Sequence, residues 1–237
     1  ALEEEGVLEN TLIALTSDNG FFYGEHRIPA NKEFPYEENL LMPMLVRLPD
    51  QLRTTKTPKV TDAPTANIDL APTLLEIAGA EPCQSDDCRE IDGRSLMPVL
   101  TVEDWPEDRA LLVELDQNPH GAQNRPRPCA FEGVRQDGWI YVEHRFSAAV
   151  GGVCEERKSY ELYNLEKDPR QIDNLAGDPG AKGVEGRLAR KLGRLKFRTS
   201  YSQNVLLHSI EVASLMGVMA ADLGLNPATA RRVGLFH

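Results

Sequence analysis

Asp18 and Asn19 set a carboxylate beside an amide oxygen at the end of the apolar run Thr11-Leu12-Ile13-Ala14-Leu15-Thr16. A short apolar run reads as a buried strand, and Asp-Asn-Gly closes it with a turn. In open α/β sheets, ligands bind beyond the carboxyl ends of the strands. The pair would therefore offer oxygen donors there to a hard cation such as Ca²⁺. The same dipeptide chemistry also serves an Asn-Gly turn that holds no metal. Farther on, Glu25-His26-Arg27 and Lys32 add an imidazole and an ammonium group; a lysine in such a place is also an ordinary solvated residue.

Those residues sit in a longer pattern. Thr16-Ser17-Asp18-Asn19-Gly20 leads to Gly24-Glu25-His26-Arg27, Lys32, Tyr36-Glu37-Glu38 and Met42-Pro43-Met44-Leu45-Val46-Arg47. Asn67-Ile68-Asp69-Leu70-Ala71-Pro72-Thr73, Asp92-Gly93-Arg94-Ser95-Leu96 and Glu161-Leu162-Tyr163-Asn164-Leu165 follow in order. Several independent motifs in sequence are a specific signal. Together they resemble the sulfatase family, of the arylsulfatase and alkaline-phosphatase-like type, over roughly residues 1–195. The resemblance implies that Asp18 and Asn19 complete a calcium site. It also implies that Lys32 binds the sulfate group and that His26 lines the substrate pocket, both as candidate catalytic residues. A divalent cation and a lysine aimed at a sulfate ester would stabilise charge building on the leaving oxygen. The substrate class implied is a sulfate ester of a small molecule or glycan.

The family's nucleophile is a formylglycine made from C/S-x-P-x-R. None of the four cysteines has proline two residues on, and no serine supplies the motif. The family's N-terminal aspartates are absent as well. The resemblance thus implies a C-terminal half that does not hydrolyse sulfate esters alone.

Near Gly193 the pattern changes. Arg198-Thr199-Ser200-Tyr201-Ser202-Gln203-Asn204-Val205-Leu206-Leu207-His208-Ser209-Ile210-Glu211-Val212-Ala213 is similar to the opening of the HD domain of bacterial ribonuclease Y. That resemblance implies a metal-dependent phosphohydrolase in which His208 and His237 are ligands of a divalent metal such as Mn²⁺ or Mg²⁺. The aspartate expected after His237 and the later ligands lie beyond the chain, so RNA is implied as a partner only for a complete domain. The expected organisation is a partial sulfatase domain over 1–197 and a partial HD domain over 198–237.

Charge supports that boundary. The net charge is −11, and Arg231 and Arg232 balance Glu211 and Asp222, so the excess falls on residues 1–198. An acidic region lacks the clustered bases that phosphate backbones require. The exception is Arg187, Arg190, Lys191, Arg194, Lys196 and Arg198, interleaved with leucines. This pattern reads as an amphipathic helix with a solvated basic face, or as an RNA patch. Residues 203–223 are apolar almost all round, which suits a helix buried in a larger domain and predicts self-association without one. No run reaches the ~18 apolar residues of a membrane span.

The cysteines carry three readings. An even count suits two bridges in an exported protein, Cys83 with Cys88 and Cys129 with Cys154. Cys83 and Cys88 with Asp86 and Asp87 would otherwise form a weak metal site, or all four are buried thiols. The sulfatase resemblance implies an extracellular or periplasmic location and the HD resemblance a cytoplasmic one, and the sequence does not reconcile them.

The expected fold class is α/β: an alkaline-phosphatase-like sulfatase C-terminal half, followed by an all-α HD fragment. Leu12 to Thr16 and Met44 to Leu48 read as strands at the edge of a mainly parallel sheet. Asp69 to Ala78 reads as a helix, with Asn67 or Asp69 near its cap, Pro72 in its first turn and Gly79 at its end. Leu111–Leu115, Ala130–Arg135, Trp139–Arg145 and Tyr160–Tyr163 predict a small antiparallel sheet, with Asp137-Gly138 as a hairpin turn. Helices are expected over 182–198, 203–223 and 227–237, the last with Pro227 in its first turn. Three functions remain open: a sulfuric ester hydrolase incomplete by itself, an HD phosphohydrolase or endoribonuclease, and a non-catalytic chimera.

Overall fold

The computed structural model describes residues 1–29, 32–55, 57–80, 91–101, 108–115, 129–148, 154–196, 216, 219–221 and 226–229. Two units result, residues 1–197 and 198–237.

In the first unit, β1 (Ile13–Thr16), α1 (Glu37–Leu40) and β2 (Met44–Arg47) follow one another. β1 and β2 pair antiparallel, with Ile13 opposite Arg47 and Thr16 opposite Met44. This corrects the expected parallel edge, because apolar patterning marks a strand without fixing its direction. Nor is β1 the buried strand its composition suggested: Ile13, Ala14 and Leu15 are exposed. Among the described residues β2 is its only partner strand, and one neighbour cannot cover both faces.

Helix α2 (Leu70–Ile77) grows out of a single 3-10 turn at Asn67–Asp69 and ends before Gly79, whose φ of 64° is the left-handed stop that glycine allows. Fully buried Asp69 is the junction of this region. Its Oδ2 accepts the Ala66 N–H at 2.8 Å, its Oδ1 the Arg94 N–H at 2.9 Å, and Arg109 donates to both oxygens at 2.6 and 2.7 Å. Removing a charge from water is costly, and this many donors compensate it. Thr73 extends the junction, donating to Asp69 O and accepting the Leu96 N–H just before α3 (Met97–Thr101).

β3 (Leu111–Leu115), β4 (Phe131–Gln136), β5 (Trp139–Ala148) and β6 (Cys154–Asn164) form a four-stranded antiparallel sheet in that order. Asp137 and Gly138, both at positive φ, make the expected tight turn between β4 and β5. β6 is far longer than the Tyr160–Tyr163 read from sequence. Its charged stretch Glu155-Glu156-Arg157-Lys158 hides the strand signal, while pairing with β5 and a Cys129–Cys154 disulfide hold it in place. Alternation along β5 sends Tyr141 to one face and Ile140 and Val142 to the other. The first face packs Val134, Tyr141 and Leu162 beneath Leu188 and Leu192 of α4 (Lys182–Lys196). The second gathers Phe131, Ile140, Val142, Tyr163 and Leu165, with Tyr36 and Leu40 packed against them.

In the second unit, Met216, Met219–Ala221 and Pro227–Thr229 are helical. Asn226 Oδ1 accepts the N–H groups of Ala228 and Thr229 at 2.9 and 3.1 Å, an N-cap with Pro227 in the first turn. These few residues do not show an all-α HD domain. His208, His237, Cys83 and Cys88 lie outside the described residues.

Candidate functional site

The end of β1 delivers Asp18 and Asn19 to an exposed turn. Asp18 Oδ1 accepts the Asn19 N–H at 3.0 Å and the Ser17 hydroxyl at 3.3 Å, while Lys32 Nζ donates to Oδ2 at 2.7 Å. The Lys32 ammonium is the main reason that the Asp18 carboxyl is held below its ordinary range. Asp18, Asn19 and Lys32 are thus brought together.

Two contacts absent from the sequence reading fix that turn. Asn67, expected as a cap, instead sends its side-chain amide to the carbonyls of Ser17 (3.0 Å) and Asp18 (3.1 Å). The Asn67 Oδ1 is buried with no hydrogen-bond partner among the described residues. Gly20 lies against α1: its N–H donates to Asn39 O at 2.7 Å, and a Cβ there would stand 2.0 Å from Glu38 O. Only glycine permits that approach.

His26 belongs to a neighbouring aromatic cluster. Its ring stacks on Tyr36 with centroids 4.0 Å apart, and Phe22 meets it edge-on. Its Nε2 stands 3.5 Å from Glu38 Oε2 and has no hydrogen-bond partner among the described residues. α1 therefore carries both halves of the site, with Asn39 touching the Asp18 turn and Glu38 facing His26.

A family model described as N-sulphoglucosamine sulphohydrolase, C-terminal, matches residues 24–198. The chain belongs to this sulfatase family. The human N-acetylglucosamine-6-sulfatase is 33% identical over 221 residues, which make up 86% of this chain and 37% of that protein. The N-acetylglucosamine-6-O-sulfatase of Bacteroides thetaiotaomicron is 33% identical over 177 residues, covering 74% of this chain and 28% of that protein. The chain thus spans little more than a third of the sulfatases it matches. A solved complex of a protein with its substrate D-glucosamine-2-N,6-O-disulfate superposes with a TM-score of 0.66 and 29% identity, over 83% of this chain and 36% of that one. A phosphonate monoester hydrolase of Agrobacterium radiobacter, at 22% identity and a TM-score of 0.62 over 83% of this chain and 37% of that one, shares the fold.

The α/β fold is accordingly that of alkaline-phosphatase-like sulfatases. Ribonuclease Y is matched as well. The enzyme of Alkaliphilus metalliredigens is 46% identical over 138 residues, 58% of this chain and 26% of that protein. The Clostridium botulinum enzyme is 58% identical over 138 residues, 58% of this chain and 24% of that protein.

For a sulfatase metal, the donor set of this chain is partial. Asp18 and Asn19 offer two side-chain oxygens where Ca²⁺ takes about six to eight, and Lys32 already engages Asp18 Oδ2. Among the described residues no group of three or more His, Cys, Asp or Glu is placed to hold a metal ion. The residues present do not fit a complete calcium site, and no step below runs through one. Among the described residues, no helix is long and apolar enough to cross a membrane.

Proposed function

We propose that residues 1–197 form the part of a sulfuric ester hydrolase that recognises the sulfate group of a sulfated amino sugar, with Lys32 as the anion-binding residue and His26 lining the sugar pocket. The observation that carries this reading is the Lys32–Asp18 pair at the end of β1, within a chain of sulfatase lineage. A half-exposed ammonium beside a turn can exchange a carboxylate partner for a sulfate oxygen, since both are anionic acceptors of the same donor. The substrate class comes from the relatives, which are N-acetylglucosamine-6-sulfatases. Asp18 and Asn19 are assigned to the edge of a calcium site that the described residues do not complete.

The reading expects binding without turnover. Isothermal titration of the 237-residue chain with N-acetylglucosamine-6-sulfate should show weak binding that Lys32→Ala removes and unsulfated N-acetylglucosamine does not reproduce. Equal binding by the Lys32→Ala variant would overturn the assignment. Hydrolysis of a nitrophenyl sulfate above a buffer blank, lost in Lys32→Ala, would show that a nucleophile other than formylglycine acts here. The Cys129–Cys154 bridge supports maturation of this unit in an oxidising compartment, extracellular or periplasmic.

A second reading is favoured by the ribonuclease Y matches. Residues 198–237 would then be a fragment of an HD phosphohydrolase, with His208 and His237 as ligands of Mn²⁺ or Mg²⁺. Manganese binding that is lost on His208→Ala is its test. If neither unit binds its ligand, the chain is a non-catalytic chimera.

A further inference from the structure

Tyr36 packs on His26 from one side and against the antiparallel sheet from the other. The two rings lie nearly parallel, 8° apart, with centroids at 4.0 Å. His26 Nε2 stands 3.5 Å from Glu38 Oε2, so the imidazole takes its orientation from that contact together with this stack and the edge of Phe22. Parallel and edge-on aromatic contacts are geometrically selective, so they can set the direction of a ring.

Tyr36 is itself held from the sheet. Its ring meets Tyr163 of β6 with centroids 6.4 Å apart. Burial and the Glu161 carboxylate push the Tyr36 phenol well above its ordinary range, so it stays protonated as a donor. Glu161 Oε2 accepts the Tyr163 hydroxyl at 3.1 Å, and Oε1 pairs with His144 of β5 at 3.0 Å.

The backbone on both sides of Tyr36 is clamped as well. Buried Gln171 donates to Pro35 O at 3.3 Å and accepts the Glu37 N–H at 2.7 Å. Arg135 of β4 forks the Glu37 carboxylate at 3.0 and 3.1 Å, a two-point contact that resists rotation.

We propose that Tyr36 is a positioning residue for His26, held by Glu161, Gln171 and Arg135, so that the antiparallel sheet sets the ring orientation of the pocket histidine. The inference rests on His26 lining the sugar pocket.

The test is carbon–proton NMR of the histidine rings in the full chain, with His26 assigned by its loss in His26→Gln. Face-on stacking should displace the His26 ring protons upfield. Tyr36→Leu should abolish that displacement, Arg135→Met should reduce it, and Arg135→Lys should restore part of it. The exposed control Arg170→Met should leave it unchanged. A His26 signal at its wild-type position in folded Tyr36→Leu or Arg135→Met overturns the proposal. If Tyr36→Leu fails to fold, the two Arg135 variants decide alone. Adding N-acetylglucosamine-6-sulfate to the wild-type chain separates the two readings. If it leaves the His26 signal unmoved while Arg135→Met shifts it, the pocket assignment falls and the positioning role stands. If it moves the signal while Arg135→Met does not, the reverse holds.

Discussion

Around β5 the side chains of Val134, Ile140, Val142, Leu162 and Leu188 have no solvent exposure, whereas on β1 and β2 Leu15 is 58% and Leu45 63% exposed. Both regions belong to one unit, yet they hold their residues by different means. The antiparallel sheet is fixed by apolar packing on two faces, with α4 over one of them. The β1 region is fixed by polar bonds that span long stretches of chain. Arg47 donates to Leu8 O at 2.7 Å, Asn67 holds the Asp18 turn, and Asp69 gathers Arg109 and backbone donors. Apolar packing is nondirectional and tolerant, while each polar bond demands a specific partner. The candidate site stands where the polar scheme meets the apolar one, on α1.

The contrast is broken most directly at Asp69. Arg109→Met leaves a buried carboxylate without its guanidinium and should cost the first unit about 3–5 kcal/mol. Urea denaturation followed by tryptophan fluorescence would measure it, and a loss below ~1 kcal/mol would mean that the backbone donors alone suffice. In the sheet, Leu188→Ala should cost about 2–5 kcal/mol, while Leu15→Ala on exposed β1 should stay within ~0.5 kcal/mol. Equal losses would erase the distinction between the regions.

The bridge sharpens it further. Cys129 and Cys154 are separated by 25 residues in sequence, and closing a loop of that size contributes about 2–4 kcal/mol through the unfolded state. The Cys129→Ser, Cys154→Ser double variant should therefore lower the denaturation midpoint of the sheet by a corresponding amount, and an unchanged midpoint would show that packing alone holds β6.

The smallest effect belongs to the surface pair. Lys32→Met should raise the Asp18 pKa toward its ordinary value, read by carboxyl NMR titration. A carboxyl whose folded pKa is lowered adds stability above its unfolded pKa and loses it as pH falls through the folded one. The wild-type advantage should thus vanish in acid, and an exposed pair of this kind is worth only ~0–1 kcal/mol even at neutral pH. A variant with an unmoved Asp18 titration would contradict the pairing.

Much of this was legible in the residues. Asp137-Gly138 marked its hairpin because a two-residue turn demands positive φ. The Asp18-Asn19-Gly20 turn was read from residue type and spacing and Lys32 from the sulfatase resemblance, while the ion pair between Lys32 and Asp18 was not foreseen. Strand direction in β1 and β2 was not, since an apolar run looks the same in either pairing. The length of β6 was hidden by its charged first half. Asn67 was read as a helix cap because local patterns expose local partners; its bonds to Ser17 and Asp18 depend on how α2 meets β1. The roles of Tyr36, Glu161 and Arg135 are of the same kind, made across the fold by residues whose neighbours in sequence say nothing of one another.

At His26 and Arg27 the backbone takes φ of 51° and 60° in succession. For L-residues this conformation brings Cβ against the carbonyl, a mirror-image geometry that the chain's own chirality opposes. The loop is therefore wound against its natural hand at the point where it presents the imidazole. Tension of that sort persists only where the surroundings impose it, and here the aromatic stack and α1 do so. The handedness of these two residues carries a backbone cost of about 1–2 kcal/mol each, which the contacts around the corner must offset.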